Sequence, residues 1–114
     1  MALATVDGIE GLRALIGKPV GPSEWREVTQ PMIDGFRLAL IESTGFKLGV
    51  NYGWNKVRFP APVPVGARVR ATAEGVSVDD VGGGWFQVVT RFTLEVEGSD
   101  KPCCVAESVG RALV

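Results

Sequence analysis

Along the first third of the chain apolar residues recur at helical spacing, and from residue 48 onward the period drops to two. Ile9, Leu12, Leu15 and Ile16 fall on one face of a short helix over about 7–16, with Asp7 placed as N-cap and Gly17 closing it. Glu24 to Thr29 alternates polar and apolar residues as a short edge strand, and Thr29 then stands as the N-cap of a second helix with Pro31 in its first turn. That helix, over about 31–43, carries Met32, Ile33, Phe36, Leu38, Leu40 and Ile41, which leave it without a broad polar face; a helix apolar all round is buried. Gly35 sits awkwardly in its middle, and Thr44-Gly45 supplies the stop. Strands follow at about 48–59, 67–79, 84–97 and 102–113. Between them lie a polyproline-like crossover, Pro60 to Gly66, and hairpin turns at Gly82-Gly-Gly84 and Glu97-Gly-Ser-Asp100. The pattern predicts one α+β domain over 1–114, in which a long antiparallel meander curls around a single central apolar helix. Such a sheet leaves an edge or a face to be covered by a second subunit, so the chain is expected to be at least a dimer.

Composition narrows the function more than the fold. Of 114 residues 46% are hydrophobic and the formal charge is -1, with no run of like charge. Nucleic-acid and anionic-membrane surfaces need clustered Lys or Arg, so neither partner is expected. The N-terminal residues lack the basic segment and long apolar core of a signal peptide, and no apolar run approaches the ~20 residues that span a bilayer; a cytoplasmic protein is the expectation. Cys103 and Cys104 are adjacent, so in a strand they point to opposite faces and read as small buried hydrophobes rather than a disulfide. No metal-ligand cluster stands out, and Gly82 to Gly84 lies between two strands, where no helix N-terminus can receive a dinucleotide phosphate. Above all, there is no histidine. This excludes an imidazole base, a histidine metal ligand and any Ser-His or Cys-His pair.

The run Asn51-Tyr-Gly-Trp-Asn-Lys-Val-Arg-Phe-Pro-Ala-Pro-Val-Pro-Val-Gly66, with Arg68 to Ala71, Val78 to Gly82 and Lys101 to Ser108 downstream, resembles the MaoC-like dehydratases, the (R)-specific enoyl-CoA hydratases of the hot-dog superfamily. The resemblance covers most of the chain, from about Trp25 to the C-terminus. It implies the hot-dog fold, no cofactor, an acyl-CoA or acyl-carrier thioester as ligand, and a homodimer or a heterodimer with a hot-dog homologue. It also implies a catalytic Asp followed five residues later by a His, on a loop between the family's first and central helices. Here Thr29 to Asp34 looks like the start of the first helix and Gly35 to Leu40 like the central one, so a few dozen residues are missing at a seam near Asp34-Gly35. Neither catalytic residue can be carried over.

Other groups are left to do chemistry. Asp34 is the candidate catalytic carboxylate, since a buried acid with a raised pKa can act as a base; an acid near a helix N-terminus is also favoured whatever its chemistry, and Glu42 reads as solvated. Asn51, Tyr52 and Asn55 are candidates to hydrogen-bond a ligand from a strand, against a place on an outer face or a dimer interface. Lys56 and Arg58, with Arg68 and Arg70, are candidates for the phosphates of coenzyme A or of a carrier arm, against a solvated strand face. The expectation is a non-catalytic or repurposed acyl-thioester-binding or partner subunit. The alternatives are an enzyme of altered chemistry using Asp34, such as a thioesterase or a polyketide-type cyclase or isomerase, and a structural dimerisation module with its cleft filled by Phe36, Leu40 and Trp54.

Overall fold

The computed structural model describes residues 4–28 and 41–114. In chain order they form β1 (Ala4–Asp7), α1 (Gly8–Ala14), β2 (Pro19–Val20), β3 (Arg26–Glu27), β4 (Ile41–Thr44), β5 (Leu48–Arg58), β6 (Arg68–Gly82), β7 (Trp85–Val96) and β8 (Pro102–Leu113). The main sheet runs β2-β6-β7-β8-β5, all antiparallel, with β3 also on the outer edge of β6. The hairpin turns fall where glycine was expected to place them: Gly82, Gly83, Gly84 and Gly98 all have positive φ, a region that costs other residues steric strain. No helix among the described residues is long and apolar enough to cross a membrane.

Three expectations from the sequence change. The strands do not follow one another as a simple meander, because β5 pairs with β8 and not with β6. The connection after β5 contains Pro60, Pro62 and Pro64, whose fixed φ and missing N–H suit an extended crossover and not a hairpin, and it carries the chain from one sheet edge to the other. The central helix expected over 31–43 falls, for residues 31–40, outside the described residues; its last part, 41–43, belongs to β4. There the chain pairs in parallel with β1, Ala4 opposite Ile41 and Asp7 opposite Thr44, an element absent from the sequence reading because its partner is more than thirty residues away. Finally, the strand expected over 24–29 is only Arg26–Glu27. Val28 beyond it is buried, and Thr29 lies outside the described residues.

α1 is shorter than the 7–16 expected and buries none of its residues completely. Asp7 stands at its N-cap without a side-chain cap bond; its Oδ1 instead accepts a hydrogen bond from Thr44 Oγ1 at 3.0 Å, tying β1 to β4. The stop at Thr44-Gly45 is matched by Gly45 at φ 84. The helix exit docks on the sheet where Gly17 N–H donates to Gly75 O at 2.9 Å.

Strand pairing sorts side chains onto two faces. On the apolar face the cross-strand rows are Ala71-Leu94-Cys104, Ala73-Phe92-Ala106-Val57, Gly75-Thr90-Ser108-Trp54 and Val78-Val88-Gly110-Asn51. The opposite face is charged: Glu74-Arg91-Glu107-Lys56 stand in one row and Arg70-Glu95 in another, with Arg91 bridging Glu74 at 3.4 Å and Glu107 at 3.1 Å. The core lies at one end of the apolar face, where Val28 packs with Val69, Ala71, Ala73, Leu94, Val96 and Cys103. Val28 is held there by its N–H to Ala67 O (2.7 Å) and its carbonyl to Gly66 N–H (2.9 Å).

Gly75 is required by close approach. A Cβ at this position would stand 2.8 Å from Leu15 O and 2.9 Å from its carbonyl carbon, both backbone atoms that cannot turn away. Gly75→Ala is expected to destabilise the fold by about 1–3 kcal/mol. Chemical denaturation followed by circular dichroism checks this, and an unchanged midpoint would contradict the docking of α1 on β6.

Candidate acyl-thioester site

Two adjoining hollows run along the apolar face, of about 720 and 750 Å³. The first lies under Leu12 and Leu15 of α1 and reaches Val78, Val88 and Thr90; the second is lined by Trp54, Val57, Leu94, Cys104 and Ser108. Asn51 and Phe92 line both, so the hollows meet across β5 and β7. Each has the size and apolar character of a small-molecule site, typically ~300–1,000 Å³.

The structure divides the sequence-predicted residues. Asp34 lies outside the described residues. Asn51 sits at the junction of the two hollows. Tyr52 and Asn55 are the extra residues of two bulges in β5, where the register slips between Asn51 and Gly53 and again between Trp54 and Lys56. Bulges re-aim side chains, and the Tyr52 ring stacks on the Arg111 guanidinium at 3.9 Å, while Arg111 donates to Gln87 Oε1. Lys56 and Arg58 pair with Glu107 and Val105 on the charged face, away from the hollows. Arg68 is bridged to Glu97 and Arg70 to Glu95, both at 3.0 Å, and Arg70 also covers the Trp25 ring at 4.4 Å. Trp54, a cleft filler only in the alternative of a structural dimerisation module, is 61% exposed. Ser108 and Thr90 were missed by the sequence reading. Their signal was a polar residue in each of two strands at the phase of the apolar face.

The cysteines are free thiols, as expected. Cys103 is buried at a slip of register between β7 and β8, donating weakly to Leu94 O at 3.5 Å. Cys104 is half-buried in the second hollow. Burial pushes both thiols above their ordinary range; the neighbouring Cys104 pushes Cys103 further, and a hydrogen bond from the backbone of Cys103 itself, which favours the thiolate, opposes this. Among the described residues there is no grouping of side chains that could hold a metal ion.

Over 148 aligned positions the chain is 38% identical to 3-hydroxyacyl-thioester dehydratase Z of Mycobacterium tuberculosis, a match that takes in 96% of this chain and 98% of that protein. The same figures hold for the protein of that name in Mycobacterium bovis. The chain belongs to the MaoC-like hot-dog dehydratases. No family model matches it. The fold agrees: an X-ray structure of a monoamine oxidase regulatory protein from Archaeoglobus fulgius superposes with TM-score 0.54 at 20% identity, over 73% of this chain and 52% of that one, so about half of that protein is matched. Because 148 positions exceed the 114 residues available, at least 34 positions of the dehydratase alignment face no residue here. This member of the family is shorter within the matched span.

Both thiols should be slow nucleophiles. Alkylation of the folded chain at pH 8 is expected at least ~10-fold slower than after unfolding, because the thiolate is the reactive species and burial suppresses it. The raised folded pKa values also mean that the native chain holds these protons more tightly than the unfolded one. The associated stability is therefore present below the ordinary thiol value of 9.0 and is lost as pH rises through the folded values. Denaturation midpoints at pH 8 and pH 10, compared with those of a Cys103→Ala, Cys104→Ala variant, measure this loss.

Proposed function

We propose that this chain is a dehydratase-family subunit that binds an acyl thioester along the apolar face of its sheet without itself hydrating or dehydrating it. The observation that carries the reading is the absence of histidine from a family whose resemblance implies an Asp-His pair, together with at least 34 alignment positions that this chain leaves unfilled. Adding or removing water beside a thioester needs one group to move the proton of the water and another to serve the α-carbon. Loss of a general base typically removes ~10²- to 10⁴-fold of rate. The hollows, by contrast, need no imidazole: they rest on strands β5 to β8. Kinship with a 3-hydroxyacyl-thioester dehydratase supports an acyl thioester as the ligand class, and the resemblance implies coenzyme A or a carrier arm as its thiol part.

The subunit works as a dimer formed by a second copy along β5. This strand is eleven residues long, its outer edge has no partner among the described residues, and Leu48, Val50, Trp54, Val57 and the adjoining Phe59 are exposed, Phe59 by 75%. An edge of that length with that much apolar surface is a template for another strand. Antiparallel self-pairing about Gly53 would set Lys56 opposite Val50 and Arg58 opposite Leu48, which keeps the cations apart. The radius of gyration, 14.8 Å against ~13 Å for a compact chain of this length, also supports an open single copy.

Incubation of the purified chain with crotonyl-CoA and a series of acyl-CoAs is expected to give neither hydration nor thiol release, while the thermal midpoint rises with ligand. Turnover at the ~1–10³ s⁻¹ usual for enzymes would overturn the non-hydrating reading. Light scattering after size-exclusion chromatography should give twice the 12.1 kDa mass of one chain. Val57→Lys with Phe59→Lys is expected to shift that dimer towards monomer with the circular dichroism spectrum unchanged.

A further inference from the structure

On the face of the sheet opposite the trough the charges are unevenly matched. Arg68 is bridged to Glu97, Arg70 to Glu95, and Arg91 to Glu74 and Glu107. Arg111 is placed differently. Its Nε and Nη2 both donate to the neutral Gln87 Oε1, at 3.2 and 3.0 Å, and its guanidinium carbon lies 3.9 Å from the centre of the Tyr52 ring. These contacts hold the fork in place, yet among the described residues no carboxylate compensates its charge and its other N–H donors stay available. Lys56 and Arg58 of β5 are exposed and also lack an ion pair among the described residues. The acid beside Lys56 in the ladder, Glu107, is held by Arg91 at 3.1 Å.

Self-pairing of β5 about Gly53 brings these cations together. In that register Lys56 of the second copy lies opposite Val50 and Arg58 of the second copy opposite Leu48, while Val50 and Leu48 are the ladder neighbours of Arg111 and Leu113. The faces agree across the join, because Leu48, Val50, Gly53, Lys56 and Arg58 all belong to the charged side of β5. One row then runs Gln87-Arg111-Val50 in the first copy and continues as Lys56-Glu107-Arg91 in the second. Arg111 and Lys56 of the second copy stand two strand spacings apart, ~10 Å, with Val50 between them. The two-fold axis repeats the arrangement on the other side of Gly53. On this face the four central strands present Lys56, Arg58 and Arg111 of each copy against Glu107 alone, whereas the ion pairs of Arg68 and Arg70 lie between β6 and β7.

Resting on the dimer paired along β5, we infer that its charged sheet face carries two symmetric docking sites for an acidic protein segment, each built from Arg111 of one copy and Lys56 of the other, with Arg58 beside them. A single copy contains neither site. Side-chain carboxylates suit the donors, since the fixed Arg111 fork can take one in two hydrogen bonds and Lys56 meets another as a point charge. Leu48, Val50 and Leu113 lie among the cations. Charge interleaved with apolar surface fits a protein partner, whose interfaces join the two, whereas a phosphate backbone or an anionic bilayer draws on clustered cations.

The probe is a fluorescein-labelled decapeptide of alternating Glu and Ala, with a thymidine decanucleotide and phosphatidylglycerol vesicles alongside. The full chain is expected to bind the peptide, its Kd rising ~10-fold between ~50 and ~300 mM salt. Lys56→Gln and Arg111→Gln should each weaken binding about tenfold, and Arg68→Gln, on the same face but paired with Glu97, should leave it unchanged. Refolding the two weakened variants together tests the shared construction: each mixed dimer has one complete site, so wild-type affinity should return for a fraction of the sites. Light scattering on the same samples tells the failures apart. A dimer that ignores the peptide, that binds the nucleotide or the vesicles more tightly, or whose mixed variants recover nothing overturns the docking site and leaves the dimer standing. A monomer overturns both.

Discussion

The register of the β6-β7-β8 ladder is the constraint on which everything else in this molecule rests. Side chains alternate with a period of two, so a slip of one residue would turn Ala71, Ala73, Leu94 and Ala106 outward and bring Arg70, Glu95, Arg91 and Glu107 onto the apolar face. Burial sets that register, since Ala73 is 0% exposed and Val69 and Ala71 nearly so. The opposed charges on the other face guard it. Each such pair contributes only ~0.2–1 kcal/mol where it is solvent-exposed, yet the row Glu74-Arg91-Glu107 spans three strands, and a slip would break every contact in it at once.

Interruptions of the strand pairing shape the apolar face. The bulges at Tyr52 and Asn55 let β5 follow β8 while presenting Asn51, Trp54 and Val57 to one side and Gly53, Lys56 and Arg58 to the other. Without them the strand would carry a different set of side chains to the trough. A further slip between Gly75 and Ser77 lies beside the point where α1 leaves the sheet surface. Glycine there lets backbone meet backbone, so the helix exit and the bulge are fixed together.

In the proposed function the chain separates two properties that usually travel together in an enzyme family. Recognition of an elongated thioester needs a trough with apolar walls and a few placed polar atoms, and strands supply that wherever their register is kept. Proton transfer needs a titrating group held within hydrogen-bond reach of the reacting atoms; the family resemblance assigns it to an Asp-His pair, and this sequence has no histidine. The core is correspondingly modest: the fully covered residues are mostly Val and Ala, and larger apolar groups such as Trp54, Phe59 and Leu48 remain outside it on or beside the edge strand.

How much of this was legible beforehand depends on how local the cause is. The four long strands could be read from alternation alone, their turns from glycines that only the left-handed region accommodates, and the lack of an imidazole from simple inspection. The family was legible too, in the long string from Asn51 to Gly66. The candidate site was legible only in part, through Asn51; Lys56 and Arg58 have the right chemistry but stand on the charged face, an odd number of residues from Asn51, because the two bulges between cancel in phase. Nor could local pattern reveal that β5 crosses to β8 or that Ile41–Thr44 pairs with β1. Periodicity and turn residues act within a few positions of the backbone, whereas strand order, bulge placement and the company of Asn51, Thr90 and Ser108 arise from pairings between distant segments, which exist only once the chain has closed the loops between them.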